Sequence, residues 1–421
     1  MPVGGKPSVA LTTAAHSPWG PMNLDLPQLS AAPTVRLRRA AALLSPLLAL
    51  ALAATGCAPA PAGGAGQATP AAVQQGPVEA CTDGTAGKLS LPADWQASGT
   101  KQSAATSAGN TQAAAPEGPV TANTAGITLP VVSTRPTPAL PTTVNSCDGE
   151  AVTVADASRI VTIDLNGTLT EIVYGLGLGA NVVGRDRAAD FDEAKSATVV
   201  TPTGHDLNAE AITALNPSVI LTDTTIGPLE VQEQLRAVGI PVIFFDPART
   251  LPGISHQINA VAGALGVPAA GEELNQLVGA DMAAALAMVP GDGKPVRIAF
   301  LYVRGTAGVY LMAGPGSGAD DMIKSVGATD VGTDIGLKMP FTQLTSEALI
   351  KAAPDVLLLM SGGLESVGGV DGLVRIQGIA QTPAGANRRI VDVADGTLLS
   401  FGPRTGQTIK ALAKAVHGEL P

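Results

Sequence analysis

From about residue 150 onward, short runs of Val, Ile and Leu alternate with longer stretches whose apolar positions recur every three or four residues. SRIVTID, NVVGRD, SVILTD and PVIFFD read as strands, and GTLTEIVYGLGLG, LNAEAITALNP and GPLEVQEQLRAVG as the helices between them. The rhythm returns later in the chain. VRIAFLYV, DVLLLM and RRIVDV are strand-like, while GADDMIKSVGA, TSEALIKAAP and TGQTIKALAKAVHG are helix-like. Such β/α alternation predicts an α/β fold with parallel sheets covered by helices on both faces. We place one lobe at 149–253 and a second at 291–421. The intervening 254–290 is helical in pattern, with Gly266 and Pro268 marking a bend or break.

A local repeat links the lobes. LNAEAITALNPSVIL (207–221) aligns with LTSEALIKAAPDVLL (344–358) at a constant offset, which puts Glu210 and Glu347 in equivalent places. Each glutamate falls in a first helical turn, where the helix dipole favours an anion. A capping role and an outward-facing functional role both fit that position.

Upstream of residue 150 the pattern disappears. Arg36, Arg38 and Arg39 precede the apolar run AALLSPLLALALAATG and then Cys57. This resembles a bacterial lipoprotein signal over 1–56, with Thr55 and Gly56 before a lipid-carrying Cys57, although Ala54 stands where Leu is usual. The run is interrupted by Ser45 and Pro46 and is short for a bilayer span. Residues 57–148 are rich in Ala, Gly, Pro, Ser and Thr and read as a flexible spacer. Outside the cytoplasm the two remaining cysteines, Cys81 and Cys147, are expected to pair.

Charge narrows the choice of function. The chain has 35 acidic and 25 basic residues, and cleavage before Cys57 removes four basic residues and one acidic one. The mature chain is therefore more acidic still, with no basic stripe for phosphates, and nucleic-acid binding is disfavoured. No G-x-S-x-G or H-E-x-x-H motif is present, so hydrolase chemistry lacks a starting point.

Two α/β lobes with one linker suggest a cleft binder, with the ligand beyond the carboxyl ends of the strands. At such an end lies LYVRG, where Tyr302 and Arg304 share a face. A fixed cation beside a phenol favours its ionised form, and tyrosinate is an axial ligand known for haem iron. Packing at the strand edge is the alternative for Tyr302. His205, one of four histidines, follows a Thr-Pro-Thr-Gly run in the first lobe and taken alone reads as a surface residue. A Zn²⁺ or Mn²⁺ site needs more well-placed histidines or carboxylates than this chain offers. AGPGSGADDMI is a glycine-rich turn entering a helix, with Ser317 able to cap it; a simple turn and a receiver for a ligand carboxylate are both open. SGGLESVGGVDG and SFGPRTG are further permissive loops for a cleft rim.

Taken together, RIVTIDLNGTLTEIVYGLGLGANVVGRD, LYVRGTAGVYL, GPGSGADDMI, PFTQLTSEALIKAAPDVLLLMSGGLESVGGVDGL and QTPAGANRRIVDVADGTLLSFGPRTG resemble the haem substrate-binding lipoproteins of bacterial ABC importers. The resemblance is to the actinobacterial type, within the helical-backbone (class III) periplasmic-binding-protein-like superfamily, and spans about 150–421. It implies two lobes joined by a long linking helix and haem b carried as a transported ligand in the cleft, with no catalysis. It further implies His205 and Tyr302 as axial iron ligands, Arg304 supporting the phenolate, and Glu210 and Glu347 docking onto an ABC permease with its cytoplasmic ATPase. Met339 and Tyr310 are further candidates near the porphyrin. The expectation is a monomer on the outer face of the cell membrane, anchored through Cys57. A ferric siderophore or a corrinoid on the same scaffold is the alternative.

Overall fold

Strands covered on both faces read as unbroken apolar runs rather than alternating ones. Ile160–Ile163, Val219–Thr222 and Val356–Met360 are buried at every position, and they form the middles of two sheets. The computed structural model describes residues 76–81, 117–202, 206–291, 294–418 and 420. His205 and Cys57 lie outside the described residues.

The N-terminal lobe holds a five-stranded parallel sheet, in the order Thr198–Val199, Val182–Arg185, Ile160–Ile163, Val219–Thr222, Val242–Phe244. The C-terminal sheet runs Phe341–Gln343, Val309–Ala313, Arg297–Arg304, Val356–Met360, Ile390–Val393, Val120–Thr121, and Thr329–Asp330 also pairs with Arg297–Arg304. It is mixed rather than purely parallel. Val309–Ala313 turns back antiparallel on Arg297–Arg304, and Phe341–Gln343 follows it. The reversal uses Gly308, at φ 68°, a left-handed conformation that glycine adopts without penalty.

The repeat extends into the backbone. Ile160 pairs with Val219 and Ile298 with Val356, and the next three pairs advance in step in both lobes. Asn208 and Thr345 cap the equivalent helices Ala209–Ala214 and Ser346–Ala352, accepting from Ala211 N at 2.9 Å and Ala348 N at 3.2 Å. Both helices are followed by a left-handed residue, Asn216 (φ 45°) and Ala353 (φ 44°). An arginine at the start of the adjacent strand, or just before it, then satisfies the helix end in each lobe: Arg159 Nε donates to Leu215 O at 2.9 Å and Arg297 Nη2 to Ala352 O at 2.9 Å.

The linking segment 254–290 is two helices, Gly253–Ala264 and Pro268–Ala287. Pro268 sits at the first helical position, where its missing N–H costs nothing. The helices fold back on each other, with Asn275 Nδ2 donating to Asn259 Oδ1 at 2.8 Å and to Ser255 O at 3.3 Å. The second, 20 residues and so about 30 Å long, is the helix that joins the lobes. It packs along the C-terminal helix Thr405–His417, where a Cβ on Gly406 would stand 2.7 Å from the backbone of Asp281. Among the described residues no helix is long and apolar enough to cross a membrane.

The flexible spacer expected over 57–148 needs correction. Among its described residues, Val120–Thr121 adds an edge strand to the C-terminal sheet, with Thr121 Oγ1 donating to Asp392 Oδ1 at 2.8 Å. Val78–Glu79, Thr142–Asn145 and Ala151–Val154 form a small sheet, and Cys147 N donates to Phe244 O at 2.9 Å in the N-terminal lobe. Between these strands the chain bonds to Gly175 O through Val132 N and to Glu273 Oε1 through Ser133 N. Leu129, Val132 and Val144 are the buried anchors, spaced too irregularly to register as a helix or strand period. Cys81 and Cys147 are disulfide-bonded, their Cα atoms 5.1 Å apart, which fastens the Val78–Glu79 strand to the same region.

Candidate functional site

Three strands of the C-terminal sheet, Arg297–Arg304, Val356–Met360 and Ile390–Val393, run parallel and deliver their carboxyl ends to one edge. Tyr302 and Arg304, two residues apart on the first, emerge half-buried on the same face. The Tyr302 ring meets Phe341 edge-on at 6.0 Å between centroids, and the Arg304 guanidinium lies 4.8 Å from the Tyr302 centroid. Leu311 and Val309 stand opposite Tyr302 and Arg304 on the neighbouring strand. The result is a partly exposed apolar platform bearing one phenol and one cation. Met339, 61% exposed, sits two residues before Phe341.

Arg304 does not float free. Its Nη2 donates to Asp395 Oδ1 at 2.7 Å and its Nη1 to Val303 O at 3.0 Å, while Asp395 Oδ2 accepts from Gly362 N at 2.7 Å. Asp395 was not singled out from the sequence; an acid just past the strand-like RRIVDV was the available signal. Tyr310, expected near the ligand, is not on this platform. It pairs opposite Val303, so its side chain lies on the other face of the sheet and packs into a separate apolar cluster. The GPGSG turn also serves itself: Gly316 N and Gly318 N both donate to the Asp320 carboxylate, at 3.3 and 3.1 Å.

The facing edge of the N-terminal lobe carries three buried aspartates, Asp164, Asp186 and Asp223, each directly after or within one residue of a strand end. The sequence placed an Asp after TI, GR and LT, a signal left unread. Asp164 accepts the N–H groups of Asn166, Thr168 and Leu169 and so seats the start of helix Thr168–Gly175. Arg249 pairs with Asp223 at 2.8 Å and with Asp164 at 3.6 Å. Burial, followed by the charge of Asp164, pushes the Asp186 carboxyl well above its ordinary range; Asp223 is raised by the same two causes, with Arg249 opposing them. Around His205, the described neighbours are Pro202 and Asp206, and Asp206 bridges to Gly227.

The lobes meet beside this edge. Arg404 Nη2 donates to Glu171 Oε1 at 2.6 Å and to Gly396 O at 3.0 Å, and its guanidinium lies 5.0 Å from the Phe191 centroid. Thr168 Oγ1 donates to Ser400 O. The SFGPRTG loop is thus a junction between lobes, and a Cβ on Gly402 would stand 2.5 Å from Glu171 Oε2.

Glu210 and Glu347 are exposed at the second helical position. Asn208 and Thr345 do the capping, and neither carboxylate has a hydrogen-bond or ion-pair partner among the described residues.

Two lobes, a connecting helix and strand ends facing one another define a cleft, and the model of the periplasmic binding protein family matches residues 163–395, more than half of the chain. The chain belongs to the periplasmic binding protein family. Several periplasmic binding proteins of known structure resemble it. The heme binding protein HmuT superposes with a TM-score of 0.68 at 37% identity, covering 72% of this chain and 98% of HmuT. The periplasmic heme-binding protein RhuT from Roseiflexus sp. RS-1 gives 0.58 at 41% identity, covering 62% of this chain and 98% of RhuT. HmuT is also known as alanine variants of one histidine, one tyrosine and one arginine, the last two separated by two positions as Tyr302 and Arg304 are. A cobalamin-binding protein of Halobacterium salinarum is 24% identical over 281 residues, 66% of this chain and 74% of that protein.

Proposed function

We propose that this chain captures haem in the cleft between its lobes and hands it to an ABC permease. The supporting observation is the half-buried Tyr302 on an apolar platform with the Arg304 guanidinium 4.8 Å from its ring, in a chain 37% identical to a heme binding protein. Tyr302 supplies an anionic oxygen to ferric iron, Arg304 offsets the phenolate charge, and Leu311, Val309 and Phe341 offer the flat apolar surface a porphyrin needs. His205 is the ligand from the opposite lobe. Glu210 and Glu347, exposed, without a partner among the described residues and equivalent by the repeat, are the two docking carboxylates for basic groups on the permease. Cys57 carries the lipid that holds the protein at the outer face of the cell membrane, and the chain binds rather than catalyses.

The test is hemin titration followed by visible absorption. Tyr302→Ala abolishes the wild-type Soret band or weakens binding by at least about 100-fold, since a first ligand is lost; His205→Ala alters the band. If both variants keep the wild-type spectrum and affinity, the axial assignment fails. For docking, E210A/E347A keeps hemin affinity and loses permease-dependent uptake; unimpaired uptake removes that role. The cobalamin-binding relative supports a corrinoid as the second reading, and tighter binding of cyanocobalamin than of hemin would establish it.

A further inference from the structure

Arg304 has a long, flexible side chain, 29% exposed, and its own strand holds the guanidinium by a single bond, from Nη1 to Val303 O at 3.0 Å. The rest of the restraint comes from two other strand ends. Asp395, two residues beyond Ile390–Val393, reaches across the sheet edge and accepts from Arg304 Nη2 at 2.7 Å. Its second oxygen accepts from Gly362 N at 2.7 Å, just past Val356–Met360. Both oxygens of the carboxylate are therefore committed, one to the cation and one to the backbone, which sets its orientation.

The intervening loop leaves room for this arrangement. A Cβ on Gly362 would stand 3.0 Å from the Asp395 carboxylate. On Gly363 it would stand 2.8 Å from Val303 O and 3.0 Å from Arg304 Nη1. Paired glycines in SGG thus let the middle strand end pass under the ion pair without displacing it. An incidental surface bridge would place no such demand on a third segment, and incidental bridges hold their partners weakly.

We propose that Asp395 is the positioning residue of the ligand site: it clamps Arg304 against the Tyr302 ring, so that the cation is already in place when the phenolate binds iron. This rests on the haem reading above. Groups behind a metal ligand matter because they set the ligand's orientation and charge before binding, so that no ordering remains to be done at that moment. Asp395 acts only through Arg304, since its carboxylate is already taken by the guanidinium and by Gly362 N.

The experiment is a double-mutant cycle on the hemin dissociation rate, using full-length wild type, D395N, R304Q and R304Q/D395N, with apo-protein thermal melting as the control for folding. Asn preserves the shape of Asp395 and its acceptor for Gly362 N, and removes the anion. D395N speeds hemin release about tenfold, the lower end of what groups behind a metal ligand contribute, and shifts the visible spectrum of the ferric complex. In the R304Q background the same change alters the rate by less than about twofold, because the group it acts through is gone. No effect of D395N, slower release, or an equal factor in both backgrounds overturns the proposal. Failure of wild type to bind hemin at all would instead overturn the haem reading.

Discussion

Asp186 follows Val182–Arg185 and is only 1% exposed, facing the charge of Asp164. Two backbone N–H groups, from Ala188 at 2.6 Å and Ala189 at 3.0 Å, favour its ionised form, yet burial and Asp164 outweigh them and raise its pKa. The linkage sign follows. Below about pH 4 the carboxyl is protonated in folded and unfolded chains alike. Above that, the unfolded chain releases its proton while the folded one keeps it, so stability falls as pH rises. The loss is up to about 1.4 kcal/mol per pH unit until the folded group ionises. D186N, neutral and equal in shape, escapes that loss. Urea denaturation should therefore show D186N gaining on wild type as pH rises from about 4 to 7, by more than about 1 kcal/mol. A difference that does not change with pH would mean Asp186 titrates as an ordinary carboxylate.

At the scale of elements, the repeat makes a prediction that neither lobe makes alone. Asn216 and Ala353 occupy the same left-handed position after equivalent helices. Asn tolerates that conformation, whereas Ala pays for its Cβ there. Ala353 is half-buried, so relief of that strain outweighs the loss of one methyl: A353G should stabilise the protein by about 0.5–1 kcal/mol, while N216G should be near neutral. Urea midpoints measure both, and a destabilised A353G would show that the methyl packs more than the strain costs. The offset between the two helices was legible in the sequence because proline, leucine and glutamate recur at fixed intervals. The central strands were legible because burial on both faces leaves continuous apolar runs. The edge segments were not. Val120–Thr121 and Thr142–Asn145 are too short to show a period, and the antiparallel return of Val309–Ala313 hid inside one apolar stretch. Tyr302 and Arg304 were found because i and i+2 share a strand face, and the same rule excludes Tyr310 once its register is known. Asp395 lies 91 residues from Arg304, and only the order of the strands brings the two together.

Across the whole molecule, several connections limit how the lobes move, among them the linking helix Pro268–Ala287, the segment from Val120 to Asn145 that runs from one sheet to the other lobe, and the Glu171–Arg404 pair. The last is an ion pair, and it is buried, with side chains 1% and 9% exposed. Desolvating two charges nearly cancels their attraction, so the pair contributes little net stability as a unit. Removing one partner is different, because the survivor is left buried and uncompensated. R404M should therefore destabilise the protein by about 3–5 kcal/mol, whereas E171M/R404M should recover most of that loss, apolar side chains of similar volume filling the space against Phe191. Urea unfolding of wild type, both single variants and the double variant gives the coupling directly. A strongly unstable double variant would show that Gly396 O and the Gly402 approach need the guanidinium itself. Recovery would show that burial supplies the stability here and that the charges set how the lobes align.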